Sequence, residues 1–184
     1  MTDINNKNNL QSVAFGGGCF WCSEAVFLTI NGVSSVTSGY AGGTTADPTY
    51  EQVSSGQTGH AEVVLVEYDP NKVEFKKLLE VFFSSHDPTS SNRQGNDVGT
   101  QYRSILLYKN AEQQKEAEEY VKKLADSKKY PKPIVTEILP LKVFYPAEKY
   151  HKDYYARHPD GSYSQFIIKP KVEKIAEEYR SLLK

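Results

Sequence analysis

LQSVAFGGGCFWCSEAVFLTINGVSSVTSGY, Leu10–Tyr40, is the stretch whose reading decides the fold. Leu10 to Phe15 is a short apolar run that reads as a strand, and Gly16-Gly17-Gly18 turns the chain behind it. From Cys19 to Ile30 the apolar positions Phe20, Ala25, Val26, Leu28 and Ile30 predict a helix, with Glu24 early in it where the helix dipole favours an acid. Asn31-Gly32 ends that helix, and Val33 to Tyr40 reads as the next strand.

Working outward, residues 41–59 form a loop rich in Gly, Ser, Thr and Pro, of a length usually kept for function. His60 to Tyr68 alternates as a strand does, and Asp69-Pro70-Asn71 turns into a helix with the apolar set Phe75, Leu78, Leu79, Val81, Phe82 and Phe83. A polar loop, Ser84 to Thr100, leads to a strand at Tyr102 to Tyr108. A helix at Ala111 to Ser127 and a strand at Ile134 to Leu139 come after it. The order β-α-β-β-α-β with additions is the split βαβ arrangement. The expected fold is therefore α+β: a ferredoxin-like two-layer sandwich, an antiparallel sheet with helices against one face, carrying additional C-terminal coil and helices. Pro146 is placed to open a short helix through Tyr155, and Lys171 to Leu183 reads as a terminal amphipathic helix.

A chain of 184 residues fits one domain. The polar residues 1–9 are expected to form a flexible arm, and 10–184 a single domain. With 39% hydrophobic and 24% charged residues the composition is that of a soluble globular protein, not of a disordered or fibrous one. Residues 101–184 are mildly basic, but their lysines alternate with glutamates on helical stretches, which describes a solvated face and no nucleic-acid partner. The first residues lack a charged leader followed by an apolar run, and no apolar stretch approaches membrane-spanning length. A cytoplasmic monomer is the expectation.

Cys19 and Cys22 are the 2 cysteines. In a chain without a secretion signal, this spacing favours redox chemistry over a structural staple. Two thiolates do not complete a four-ligand zinc site, and no histidine stands at finger-like spacing, so no metal is expected. Cys19 follows a glycine turn at a helix start, where free N–H groups and the dipole lower a thiol's pKa. That placement predicts a nucleophile; the bland alternative is a small buried hydrophobe.

Gly18-Cys19-Phe20-Trp21-Cys22-Ser23-Glu24 resembles the active-site segment of A-type peptide methionine sulfoxide reductases. Four further segments match the family's blocks in order: Ser38 to Gly43, Gly59-His60-Ala61-Glu62, Asn96 to Ser104, and Phe144 to His151. Five blocks in order across residues 11–160 make chance a poor account.

The resemblance implies that Cys19 attacks the sulfur of methionine sulfoxide and that Glu62, held protonated in an apolar pocket, delivers the proton to the oxygen. Tyr40 and Tyr102 match the tyrosines that hydrogen-bond that oxygen, and Asp97 a carboxylate beside the site. Phe20 and Trp21 would wall the methyl pocket, with His151 and Tyr154 at its edge. The substrate implied is the S epimer, free or in oxidised proteins. No cofactor is implied beyond an external thiol reductant, thioredoxin.

Many family members resolve the resulting sulfenic acid with a cysteine near the C-terminus, but the corresponding stretch here is Gly161-Ser162-Tyr163-Ser164. Cys22 is then the one thiol left to resolve Cys19; the alternative is that Cys22 only packs and the reductant attacks directly. Two other readings stand beside this one. A general thiol-disulfide oxidoreductase would use Cys19 and Cys22 without Glu62, and a non-catalytic module would bind a ligand through Trp21 and the tyrosine-rich loops.

Overall fold

The computed structural model describes residues 9–184, so most of the expected arm, residues 1–8, lies outside the described residues. In chain order it runs β1 (Gln11–Gly16), α1 (Phe20–Leu28), β2 (Val33–Ala41), α2 (Tyr50–Ser54), β3 (Ala61–Tyr68), α3 (Phe75–Ser85), β4 (Arg93–Gln94), β5 (Asp97–Val98), β6 (Ile105–Tyr108), α4 (Ala111–Asp126), β7 (Glu137–Pro140), β8 (Phe144–Pro146), α5 (Tyr154–Arg157) and α6 (Lys169–Glu178).

The large sheet has the order β7-β6-β1-β3-β2-β8. Its middle four strands, β6-β1-β3-β2, pair antiparallel and carry the split βαβ connections, which is the ferredoxin-like core. Strict alternation sorts the side chains. Val13, Phe15, Val64, Val66 and Leu106 face the helices, where Phe15 stacks on Phe27 with centroids 4.9 Å apart and meets Phe82 at 4.8 Å. Ala14, Ala61, Val63, Ile105 and Leu107 form a smaller cluster on the opposite face, under Leu141 and Phe144. Glu62 shares the parity of Val64 and Val66, so the period of two points a carboxylate into the helix side.

The structure departs from the expected pattern in five places. β7 pairs with β6 in parallel, with α4 as the crossover, so the full sheet is mixed. Phe144–Pro146 is an edge strand on β2 and does not begin a helix. Proline is tolerated there because an edge strand leaves one side of its backbone unpaired, and the Ala147 N–H extends the pairing to the Ser38 carbonyl at 2.9 Å. The expected helix through Tyr155 is divided into a 3-10 turn at Lys149–His151 and α5, with Asp153 left-handed between them. The strand expected from Tyr102 starts only at Ile105, because Thr100–Tyr102 is a 3-10 turn that lifts Tyr102 out of the sheet. The terminal helix begins at Lys169, two residues before its expected start, after a π-turn at Ser164–Ile168.

Candidate active site

Cys19 is the N-cap residue of α1, delivered by the Gly16-Gly17-Gly18 turn. Gly18 has φ +98°, a left-handed backbone open to glycine, and a Cβ on Gly17 would lie 2.8 Å from the His86 ring. The chain between β1 and α1 can therefore pass tightly over His86 and present Cys19 beside β3.

Glu62 lies opposite Tyr40 in the β2–β3 register and is 2% exposed. Its Oε2 accepts the Phe20 N–H at 3.1 Å, taking one of the free donors of the α1 start. Burial pushes its carboxyl up to about 8; the charge of Asp97 adds to the rise and the Phe20 N–H opposes it. At neutral pH the group is an acid with a proton to give.

The thiol departs from expectation. Burial, then the charges of Glu62 and Cys22, hold the Cys19 pKa well above the ordinary thiol value, while contacts with Tyr163 and the Trp21 N–H lower it too little to compensate. Desolvation of a sulfur that is only 9% exposed outweighs the favourable helix start. Cys22 is buried and raised as well, with Lys171 the leading charge that opposes the rise. Both cysteines are free. The Tyr163 hydroxyl donates to Asp97 Oδ2 at 2.8 Å and lies close enough to both cysteines to oppose the rise in their pKa.

The apolar wall is built on α1. Phe20 lies 5.8 Å from the Tyr40 ring and 5.0 Å from His151. Trp21 stacks flat on Tyr154, with centroids 3.6 Å apart and planes at 3°, and sets its face against the edge of Tyr163 at 5.7 Å. Its indole Nε1–H donates to His151 Nδ1 at 3.1 Å. Glu24, expected early in the helix where the dipole favours an acid, lies beyond the first turn and is 2% exposed, and burial raises its carboxyl to about 7. It faces the N–H groups of Asp153 and Tyr154 and so ties α1 to the segment that covers Trp21.

Every residue singled out from the sequence thus comes into one region, but Tyr40 is oriented otherwise than expected. Its hydroxyl donates to Glu148 Oε2 at 2.8 Å. The tyrosines whose hydroxyls feel both Glu62 and Cys19 are Tyr102 and Tyr50; burial raises both, and the Glu62 charge is the next cause. Tyr50, Tyr163 and Glu148 were missed. For Tyr50 a local signal existed: Thr49 and Gln52 form a capping box that starts α2 inside the presumed loop. Among the described residues no group of three or more His, Cys, Asp or Glu is placed to hold a metal ion.

A ferredoxin-like sandwich that sets two free thiols at a helix start, beside a buried protonated carboxyl, defines a thiol-based oxidoreductase. The family model for peptide methionine sulfoxide reductase matches residues 11–182. Peptide methionine sulfoxide reductase MsrA of Acinetobacter baumannii (strain AYE) is 54% identical over 175 residues, which are 95% of this chain and 99% of that protein. Among solved structures, methionine sulfoxide reductase A of Corynebacterium diphtheriae gives a TM-score of 0.76 at 38% identity, covering 85% of this chain and 78% of that one. Mxr1 from Saccharomyces cerevisiae in reduced form gives 0.77 at 33% identity, covering 85% and 90%. This chain belongs to the peptide methionine sulfoxide reductase family.

Proposed function

We propose that this protein reduces methionine sulfoxide, free or in oxidised proteins, with Cys19 as nucleophile and Glu62 as general acid. The observation that carries the reading is the Glu62 carboxyl, buried against the Phe20 N–H and protonated up to about pH 8 beside Cys19. Cys19 sulfur attacks the sulfoxide sulfur, the sulfoxide oxygen takes the Glu62 proton, and the thiol proton returns to the carboxylate. In the resulting adduct the S–O bond breaks as the hydroxyl passes to the Cys19 sulfur and the Cys19–substrate S–S bond cleaves, so Cys19 ends as a sulfenic acid and methionine leaves.

Tyr50 and Tyr102 are the donors that meet the oxygen as charge grows on it, a role the orientation of the Tyr40 hydroxyl leaves to them. Phe20 and Trp21 hold the methyl group, with His151 and Tyr154 behind the indole. Asp97 orients Tyr163 between the two thiols.

Cys22 then attacks the sulfenic acid, water leaves, and a Cys19–Cys22 disulfide forms; the shared Tyr163 contact supports two sulfurs turned to one side. Thioredoxin reduces that disulfide. Mxr1 from Saccharomyces cerevisiae has been solved in complex with Trx2, and the same chemistry suits a dithiol partner here. No described helix is long and apolar enough to cross a membrane. The reading is completed by a cytoplasmic monomer with 10–184 as one domain.

The test is turnover of separated R and S sulfoxides with a dithiol, comparing wild type with Cys19→Ser, Cys22→Ser and Glu62→Gln. The S epimer alone should be reduced, Cys19→Ser should be inactive, and Glu62→Gln should retain disulfide exchange while losing sulfoxide reduction. Activity on R alone, or full sulfoxide reduction without Glu62, overturns the reading.

A further inference from the structure

Glu148 stands where three separate pieces of chain meet. Its Oε2 accepts the Tyr40 hydroxyl of β2 at 2.8 Å, and its Oε1 accepts the Tyr50 backbone N–H at the start of α2, also at 2.8 Å. The ring of His151, one 3-10 turn further on, brings Nε2 to 3.5 Å from Oε2, an electrostatic contact outside hydrogen-bond geometry. Burial alone would raise this carboxyl, but its own backbone N–H, the Tyr40 hydroxyl and the Tyr50 N–H, with His151 as a nearby charge, hold it below the usual range. The group is a full carboxylate.

Two of its three partners belong to the Cys19 site. Tyr50 is the first residue of a five-residue helix, so its N–H has no acceptor within that helix. Thr49 caps Gln52 and leaves the Tyr50 N–H to Glu148. The Tyr50 ring packs 4.8 Å from His151, and His151 in turn accepts the Trp21 indole. One carboxylate therefore reaches both the tyrosine facing Glu62 and the aromatic wall. We propose that Glu148 is a positioning residue, which fastens Tyr50 and His151 into the Cys19 site without touching substrate. Its kinetic consequence rests on the sulfoxide-reductase reading above; the fastening itself does not.

A carboxylate offers acceptors only, whereas an amide offers one oxygen and two donors. Glu148→Gln keeps one acceptor: with its oxygen on the Tyr50 N–H its N–H₂ faces His151 Nε2–H, and turned about it faces the Tyr50 N–H, so one of the two fastenings is lost. In sulfoxide turnover the variant should lower kcat about tenfold with KM changed by less than about threefold, because a misplaced Tyr50 hydroxyl fails mainly in the transition state. On a Tyr50→Phe background the same change should cost less than about threefold, since residues acting through one another are not additive. An equal factor in both backgrounds, or no loss in either, overturns the proposal.

A second arm is independent of turnover. Trp21 is the 1 tryptophan, so the indole N–H gives a single side-chain resonance. In Glu148→Gln that resonance should move and the His151 titration should shift to lower pH, because Glu148, ahead of Glu51, is the leading charge that raises it. An unmoved resonance and titration overturn the fastening. Absence of sulfoxide turnover in the wild type would refute the activity reading, and this arm would then decide the proposal. Should Glu148→Gln not fold, Glu148→Asp, whose carboxylate is drawn back by one methylene, enters the same measurements with the same expected pattern.

Discussion

Trp21 Nε1–H donates to His151 Nδ1 at 3.1 Å, which fixes the tautomer of a histidine that is 1% exposed. Nδ1 accepts, so the ring hydrogen of neutral His151 is on Nε2, toward Glu148. Protonation would set an N–H against the indole N–H and break the contact. Burial lowers the pKa from 6.5, so the transition lies on the acid side of that value. Fluorescence of Trp21 should be flat above it and change below it, with the change abolished in His151→Asn. A change centred above 6.5 would contradict this tautomer.

The Glu62 proton sets an alkaline limit. A carboxyl raised from 4.5 to about 8 is the donor below that pH and a bare anion above it. Single-turnover sulfoxide reduction, followed at the chemical step, should fall as pH rises through about 8. Glu62→Gln should remove that limb and cost roughly 10²–10⁴ in rate, the usual range for a lost general acid. Linkage gives the sign for stability: between 4.5 and about 8 the folded state holds a proton the unfolded state has lost, so stability falls as pH rises across that window. Thermal melts of Glu62→Gln should show less of this decline than wild type.

Tyr163 hydrogen-bonds Asp97 beside the two thiols, a place from which it would act on disulfide closure more than on oxygen transfer. Tyr163→Phe should leave the first methionine released at a similar rate but prolong the sulfenic acid roughly tenfold, the scale of one lost hydrogen bond. Trapping with a dimedone-type reagent after one equivalent of sulfoxide measures it. Disulfide formation as fast as in wild type would remove Tyr163 from the closure step.

The two tyrosines tied to Glu148 should fail differently. Tyr50→Phe should lower kcat about a hundredfold to a thousandfold with little loss of stability, as for one missing oxyanion donor. Tyr40→Phe strips a hydrogen bond from a carboxylate and should cost about 1–3 kcal/mol of stability with a smaller fall in kcat. Parallel kinetics and melts distinguish them, and a larger kcat loss for Tyr40→Phe would reverse their roles.

What could be read in advance was whatever is local. The glycine turn before Cys19, the amphipathic helix at Phe75 and the alternation that carries Glu62 are written in neighbouring residues, and each formed as expected. The resemblance gathered residues from distant segments into one site. What escaped it was the direction of a hydroxyl: the partner of Tyr40 is 108 positions away, and nothing near Tyr40 announces Glu148. The three residues of β8 are too few for a period, and β2 alone recruits them. The Cys19 thiol was misjudged for the same reason, since a helix start is visible locally but the chain that buries it is not.

That buried thiol has a bearing on the conditions in which such a protein works. Peroxide reacts with exposed thiolates, and the resting Cys19 is neither exposed nor ionised. A catalyst that repairs oxidative damage is thus shielded from the oxidants that cause it. On the proposed mechanism, a ligand that enters the pocket and accepts the proton of Glu62 draws the sulfur into reaction, and selectivity against bulk oxidants follows from the resting state.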